Sequence, residues 1–157
     1  MPANDGLMAR ALELAIENIK NGVGGPFGAI VVRNGAIVAE GVNQVTATND
    51  PTAHAEIVAI RRACQALQTF QLDDCEIYTS CEPCPMCLGA IYWARPARIY
   101  YAGTREDARE AGFDDDFIYE QIAVAPDHRA IPMQQLMRER ARQAFRLWTE
   151  SPNAVRY

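Results

Sequence analysis

Apolar residues return at helical spacing between Asp5 and Asn21, at Leu7, Ala11, Leu14, Ala15 and Ile19, with Asn4 or Asp5 placed to cap the segment and Gly22 to stop it. A first helix is predicted there. Two apolar runs follow, Phe27 to Val32 and Ala36 to Val42, separated by Arg33-Asn34-Gly35, and Asn-Gly between such runs predicts a hairpin of antiparallel strands. "TAHAEIVAIRRACQAL" places Ile57, Ile60, Cys64 and Leu67 on one face behind Thr52 as a cap, the pattern of a second helix packed on a sheet. "CEIYTS" from Cys75 reads as a third strand, a helix opening at Pro83 or Pro85 runs up to Arg95-Pro96, and "ARIYYAG" reads as a fourth strand. Strands alternating with helices after the hairpin imply crossovers, hence an α/β protein with a largely parallel sheet. Past Gly103 the pattern predicts a polar acidic stretch, a short strand near Ile122 to Ala125, a helix from Gln134 to about Thr149 and a tail ending at Tyr157.

Composition narrows the class. At 157 residues, 49% of them hydrophobic and without an extended apolar run, the chain is expected to fold as one soluble domain with no membrane span. The start lacks a basic front and a continuous apolar stretch, so a cytoplasmic location is expected. A net charge of −5 disfavours a protein built to neutralise phosphates, so nucleic acid is not the expected partner. The charge is uneven. Six acids outweigh two arginines from Arg105 to Asp116, whereas Arg138, Arg140, Arg142 and Arg146 outweigh Glu139 between Met133 and Arg146.

Candidate chemistry is concentrated in "YTSCEPCPMCLG", which holds Cys81, Cys84 and Cys87 out of five cysteines. In a reducing compartment such spacing reads as metal binding before disulfide. Cys84 and Cys87 are three apart across a helix start, where thiolates gain from the positive helix end. Of the two histidines, His54 lies at the first turn of a predicted helix, and His128 lies in "APDHRA", a loop where a solvated histidine is expected. Zinc favours thiolate with imidazole. Glu56 changes the reading: a carboxylate two residues after a ligand has little use beside a closed structural shell, but next to a metal-bound water it can take and return protons. A regular helix puts positions two apart on nearly opposite faces, a tension relieved if the pair sits at the helix entrance. A thioredoxin-like redox pair would leave His54 unexplained. A non-enzymatic zinc domain, with Cys81 closing the shell, also stays open.

His54-Ala55-Glu56 followed by Pro83-Cys84-Pro85-Met86-Cys87 matches the His-x-Glu, Pro-Cys-x-x-Cys signature of zinc-dependent nucleobase deaminases. Together with "GGPFGAIVVRNG", "NDPTAHAEIVAIRRAC", "FQLDDCEIYTSCEPCPMCLGAIYWARP" and "AGFDDDFIYEQI", it makes most of the chain resemble bacterial guanine deaminases of the cytidine deaminase-like superfamily. The resemblance implies a three-layer α/β/α fold around a five-stranded mixed sheet, with one catalytic Zn2+ per subunit. It implies hydrolysis of guanine to xanthine and ammonia, hydroxide attacking C2, with His54, Cys84 and Cys87 as zinc ligands and Glu56 as proton shuttle. It further implies that Asn43 holds the base through its amide, Phe27 packs on the ring and Ala55 contributes its backbone. Asp115 and the C-terminal Tyr157 would select guanine, the tail from residue 150 to 157 coming from a domain-swapped partner in a homodimer. Among Asp114, Asp115 and Asp116 that assignment rests on register. tRNA adenosine deaminases share "PTAHAE" and "EPCxMC" and read an extruded base, and other nucleobase or triazine deaminases use the same zinc machinery. The acidic stretch argues against a nearby phosphate backbone.

Overall fold

Asn34 and Gly35 both take positive φ, 52° and 79°, the geometry a tight hairpin turn needs to match the twist of its strands. That turn joins β1 (Gly28–Arg33) to β2 (Ala36–Val42), paired antiparallel from Gly28 with Val42 to Arg33 with Ala36. The other edge of β1 pairs antiparallel with β3 (Cys75–Cys81), and β3 pairs in parallel with β4 (Arg98–Gly103). The order is therefore β2-β1-β3-β4. The computed structural model describes residues 3–157.

This sheet is mixed, as the resemblance implies, but has four strands among the described residues rather than five, and it is not largely parallel. The crossover from β2 to β3 does link strands of the same direction. It passes over β1, which the hairpin has already set beside β3, so antiparallel pairs result. The short strand expected near Ile122 to Ala125 is absent, because Asp116–Ala123 is helical, with Asp116 in the first turn. Ile118 and Ile122, one turn apart, satisfy helical spacing as well as β-branched strand preference.

On one face of the sheet lies α1 (Asp5–Lys20), whose cap is Asn4: its Oδ1 accepts the backbone N–H groups of Gly6 at 2.9 Å and Leu7 at 3.4 Å. Ala11 and Leu14 pack there against Ile30, Val32 and Tyr78. The alternate residues Ala29, Val31 and Ile77 point to the opposite face. There they meet α3 (Ala55–Leu67) through Ala55, Ala59 and Ala63, and α4 (Pro85–Ala94) through Ile91 and Ala94. Helix, sheet and helices make the three expected layers.

Small residues set how closely α3 approaches. A Cβ on Gly41 would collide with the Ala55 carbonyl and lie 2.5 Å from the Ala59 backbone nitrogen. The alanine seam of α3 therefore rests directly on β2, which fixes the first turn of α3 at the strand end. A short α2 (Val45–Thr48) lies between β2 and α3, and α5 (Arg105–Glu110) follows β4.

The chain divides into two compact units, one ending at Asp115 and the other spanning Asp116 to Tyr157. The second unit holds α6 (Asp116–Ala123), a 3-10 turn at Pro126–His128 and α7 (Arg138–Glu150). The last helix begins later than the expected Gln134, because Met137 adopts left-handed φ 52° and breaks the run.

Candidate metal centre and active site

Two helix entrances supply the cluster. His54 is the residue before α3, with extended backbone at φ −68° and ψ 157°, and Cys84 is the residue before α4, at φ −65° and ψ 167°. Thr52, expected as the cap of α3, instead bonds Asp50 through its backbone N–H (2.8 Å) and hydroxyl (2.7 Å). Pro85, with no N–H to lose, opens α4. The next turn brings in Cys87, whose backbone N–H donates to Cys84 Sγ at 3.5 Å.

His54 Nδ1 lies 3.6 Å from Cys84 Sγ and 3.5 Å from Cys87 Sγ, and one donor atom from each residue falls within 4.8 Å of the other two. Among the described residues this is the group of histidine, cysteine and carboxylate donors that converges tightly enough for a metal. One imidazole nitrogen and two sulfurs suit zinc, and three protein donors leave a tetrahedral ion one open position. A hydrogen bond from Cys87, assisted by His54 and opposed by burial, holds the Cys84 thiol down at about 4. The same contact with Cys84, together with burial, pushes the Cys87 thiol up. A thiol lowered in this way favours the thiolate, the form that binds metal.

Glu56 is 7% exposed, and its Oε2 accepts from Cys87 Sγ at 3.4 Å. The helical objection disappears because His54 precedes the helix in extended conformation, so the 100° step between successive helical residues does not separate it from Glu56. Burial pushes the Glu56 carboxyl above the usual carboxylate range. Cys81, by contrast, turns its Sγ to the Thr104 carbonyl at 3.5 Å. Burial, reinforced by the charges of Glu56 and Asp115, pushes its thiol up to about 11, and it stands outside the converging donors.

Ala55 is fully buried at the start of α3. Asn43, just past β2, is also buried, and its Oδ1 accepts the backbone N–H of Val45 at 3.3 Å and of Gly25 at 3.4 Å. Its amide NH2 is the part left to offer a ligand. The negative charge of Asp115 acts on both His54 and Cys81, which sets this aspartate within electrostatic reach of the centre. His128 is a surface side chain 3.8 Å from Asp127. Tyr157 belongs to the second unit and is exposed.

Two residues escaped the sequence reading. Asn18 is 3% exposed and donates through Nδ2 to the carbonyls of Gly25 and Asn43, both at 2.9 Å, locking the turn that carries Asn43. Its signal was a polar residue on the buried stripe of α1, one turn after Leu14. Phe113 meets Phe27 edge to face, with centroids 4.9 Å apart and planes at 83°; nothing in the spacing foretold that contact.

Residues 1–103 match the family described as cytidine and deoxycytidylate deaminase zinc-binding region. The chain is 55% identical over 150 residues to a guanine deaminase of Bacillus subtilis, covering 96% of both. The X-ray structure of a guanine deaminase from that organism is similar at TM-score 0.96 and 52% identity, covering 99% of each chain. A tRNA-specific adenosine deaminase of Agrobacterium fabrum is 46% identical over 76 residues, covering 48% of this chain and 50% of its own.

Proposed function

The chain belongs to the cytidine and deoxycytidylate deaminase zinc-binding family, among its guanine deaminases, and from that premise we propose that it hydrolyses guanine to xanthine and ammonia with Glu56 as the proton carrier. The observation that carries this reading is a buried carboxylate, Glu56 Oε2, placed 3.4 Å from one sulfur of the His54, Cys84 and Cys87 donor group. Zinc held by those three residues would supply the Lewis acidity that makes a water nucleophilic near neutral pH. Glu56 Oε2 takes one proton from the attacking water and passes it to the ring nitrogen beside C2, then takes the remaining proton of the added hydroxyl and delivers it to the departing amine as the C2 carbonyl forms. A carboxyl whose affinity for protons is raised by burial suits both receiving and returning them. One water enters and one ammonia leaves, so the proton count closes.

The Asn43 NH2 group donates to base acceptors such as N7 or O6, while its Oδ1 stays on the backbone of Gly25 and Val45. Phe27 packs on the ring, the Ala55 backbone lines the same pocket, and Asp115 accepts from a ring N–H. The second unit supports the dimer reading: none of its helices has a buried residue, and Phe145 and Trp148 are 71% and 47% exposed. Pairing with a second copy covers such residues, and a swapped tail delivers Tyr157 to the partner's pocket. Each pocket with its tail then forms one deaminase domain drawn from the full 157 residues. Five free cysteines, three of them near the centre, suit a cytoplasmic location. No helix among the described residues is long and apolar enough to cross a membrane.

Ammonia release is measured from guanine, adenine, cytosine and aminotriazines, with wild type and Glu56→Gln. Wild type is expected to act on guanine. Glu56→Gln retains its zinc and loses about 10²- to 10⁴-fold in rate. No turnover of guanine by the wild type, with turnover of an adenosine-bearing tRNA, would overturn the assignment.

A further inference from the structure

The donor cluster accounts for the displacement of an amine, yet a single ring at Phe27 can be struck by a base at any tilt. Phe113 restricts that ring. It stands edge to face with Phe27, and Gly25 packs beneath both: a Cβ there would lie 3.3 Å from Phe27 Cδ2 and 3.5 Å from Phe113 Cε1. The Phe113 N–H donates to the Ala108 carbonyl at 2.9 Å. Gly112, at φ 90°, makes the left-handed turn that sends the chain there from α5.

The start of α5 is tied to the loop carrying the metal donors. Glu82 donates its N–H to the Gly103 carbonyl at 2.8 Å, its carboxylate accepts the Arg105 N–H at 3.2 Å, and Thr104 and Asp107 form a capping box. On the other side, the Gly25 N–H reaches Asn43 Oδ1. One short helix thus connects the metal loop, the Phe27 ring and the segment that continues through Asp114 to Asp115.

We propose that Phe113 is a positioning residue for a planar bicyclic base: it sets the plane of the Phe27 ring and keeps that ring in register with the Asp115 carboxylate. The inference rests on the guanine reading. Ring pairs of this kind are worth enough, through geometry alone, to change affinity several-fold. KM and kcat for guanine, and zinc content, are measured for wild type, Phe113→Ala, Phe113→Leu and Phe113→Tyr. The alanine and leucine variants are expected to raise KM about tenfold with kcat and zinc nearly unchanged, and tyrosine, which keeps the ring, to restore KM. If alanine fails to fold, leucine, which keeps apolar bulk without an aromatic edge, decides. Unchanged KM in a folded, zinc-loaded Phe113→Leu overturns the proposal while leaving the guanine assignment standing, as does a parallel loss of kcat and zinc with KM unmoved. A wild type inactive on guanine overturns both readings.

Discussion

Three thiols within seven residues of sequence end in three different states. Cys84, at a helix entrance beside His54, is held at about 4; Cys81, at the end of β3 facing a carbonyl, is pushed up to about 11; Cys87 is pushed up and donates towards Cys84 and Glu56. Spacing makes them equivalent, whereas the backbone direction at each residue does not. Cys84→Ala is therefore expected to abolish retention of zinc through dialysis, since one ligand of three is lost. Cys81→Ala is expected to keep one zinc per chain and to change activity less than about tenfold, the lower edge of what losing an outer-shell partner costs. Metal analysis of both variants checks this, and zinc loss from Cys81→Ala would reinstate a closed shell of three thiolates and one imidazole.

At the scale of elements, the centre depends on how α1 and α3 sit on β2. Arg10 of α1 makes a two-pronged pair with Glu40 of β2, Nε to Oε1 at 2.7 Å and Nη2 to Oε2 at 3.0 Å. That hydrogen bond holds the Glu40 carboxyl below its ordinary value, partly offset by burial. The sign follows: a carboxyl with a depressed folded-state pKa contributes stability that is fully present above its unfolded pKa, near 4.5, and lost as pH falls through the folded value. Both side chains are about one-third exposed, so solvent screening limits the pair to about 0.5–1 kcal/mol. Glu40→Gln is expected to lower unfolding free energy by that amount at pH 7, with the difference vanishing in acid. Denaturant titrations at pH 7 and below 4 measure it, and a gap that persists in acid would place the effect elsewhere.

At the scale of the whole molecule, the first unit closes its own core on both faces of the sheet, while the helices of the second bury nothing. Apolar side chains such as Phe145, at 71% exposure, are those that the proposed pairing with a second copy would cover. Deleting residues 151–157, which takes Tyr157 with it, is expected to lower kcat/KM for guanine about 10²-fold through a misplaced base while leaving zinc in the first unit. Activity assay and metal analysis test that, and guanine turnover by the truncated chain at the wild-type rate would overturn a role for the tail in the pocket. Light scattering on the intact chain is expected to give the mass of two copies.

Most elements and the donor set were legible in the chain, because they rest on local chemistry. Asn-Gly forces the hairpin, Asn4 caps α1, prolines mark the entrance of α4, and His-x-Glu with Cys-x-x-Cys carries its own coordination logic. Pairing beyond the hairpin was not legible: β1 lies between β2 and β3 because a hairpin closes before a crossover returns, and no residue pattern records that order. Nor did Ile122 choose between strand and helix until the surrounding segment was built. The sequence by itself determined which residues could bind metal and carry protons, since donor chemistry belongs to side chains. Only the tertiary structure decided that the Cys81 thiol turns to the Thr104 carbonyl, that Glu56 Oε2 and His54 Nδ1 both reach Cys87 Sγ, and that Phe113 meets Phe27, because direction and distance between remote residues arise from packing.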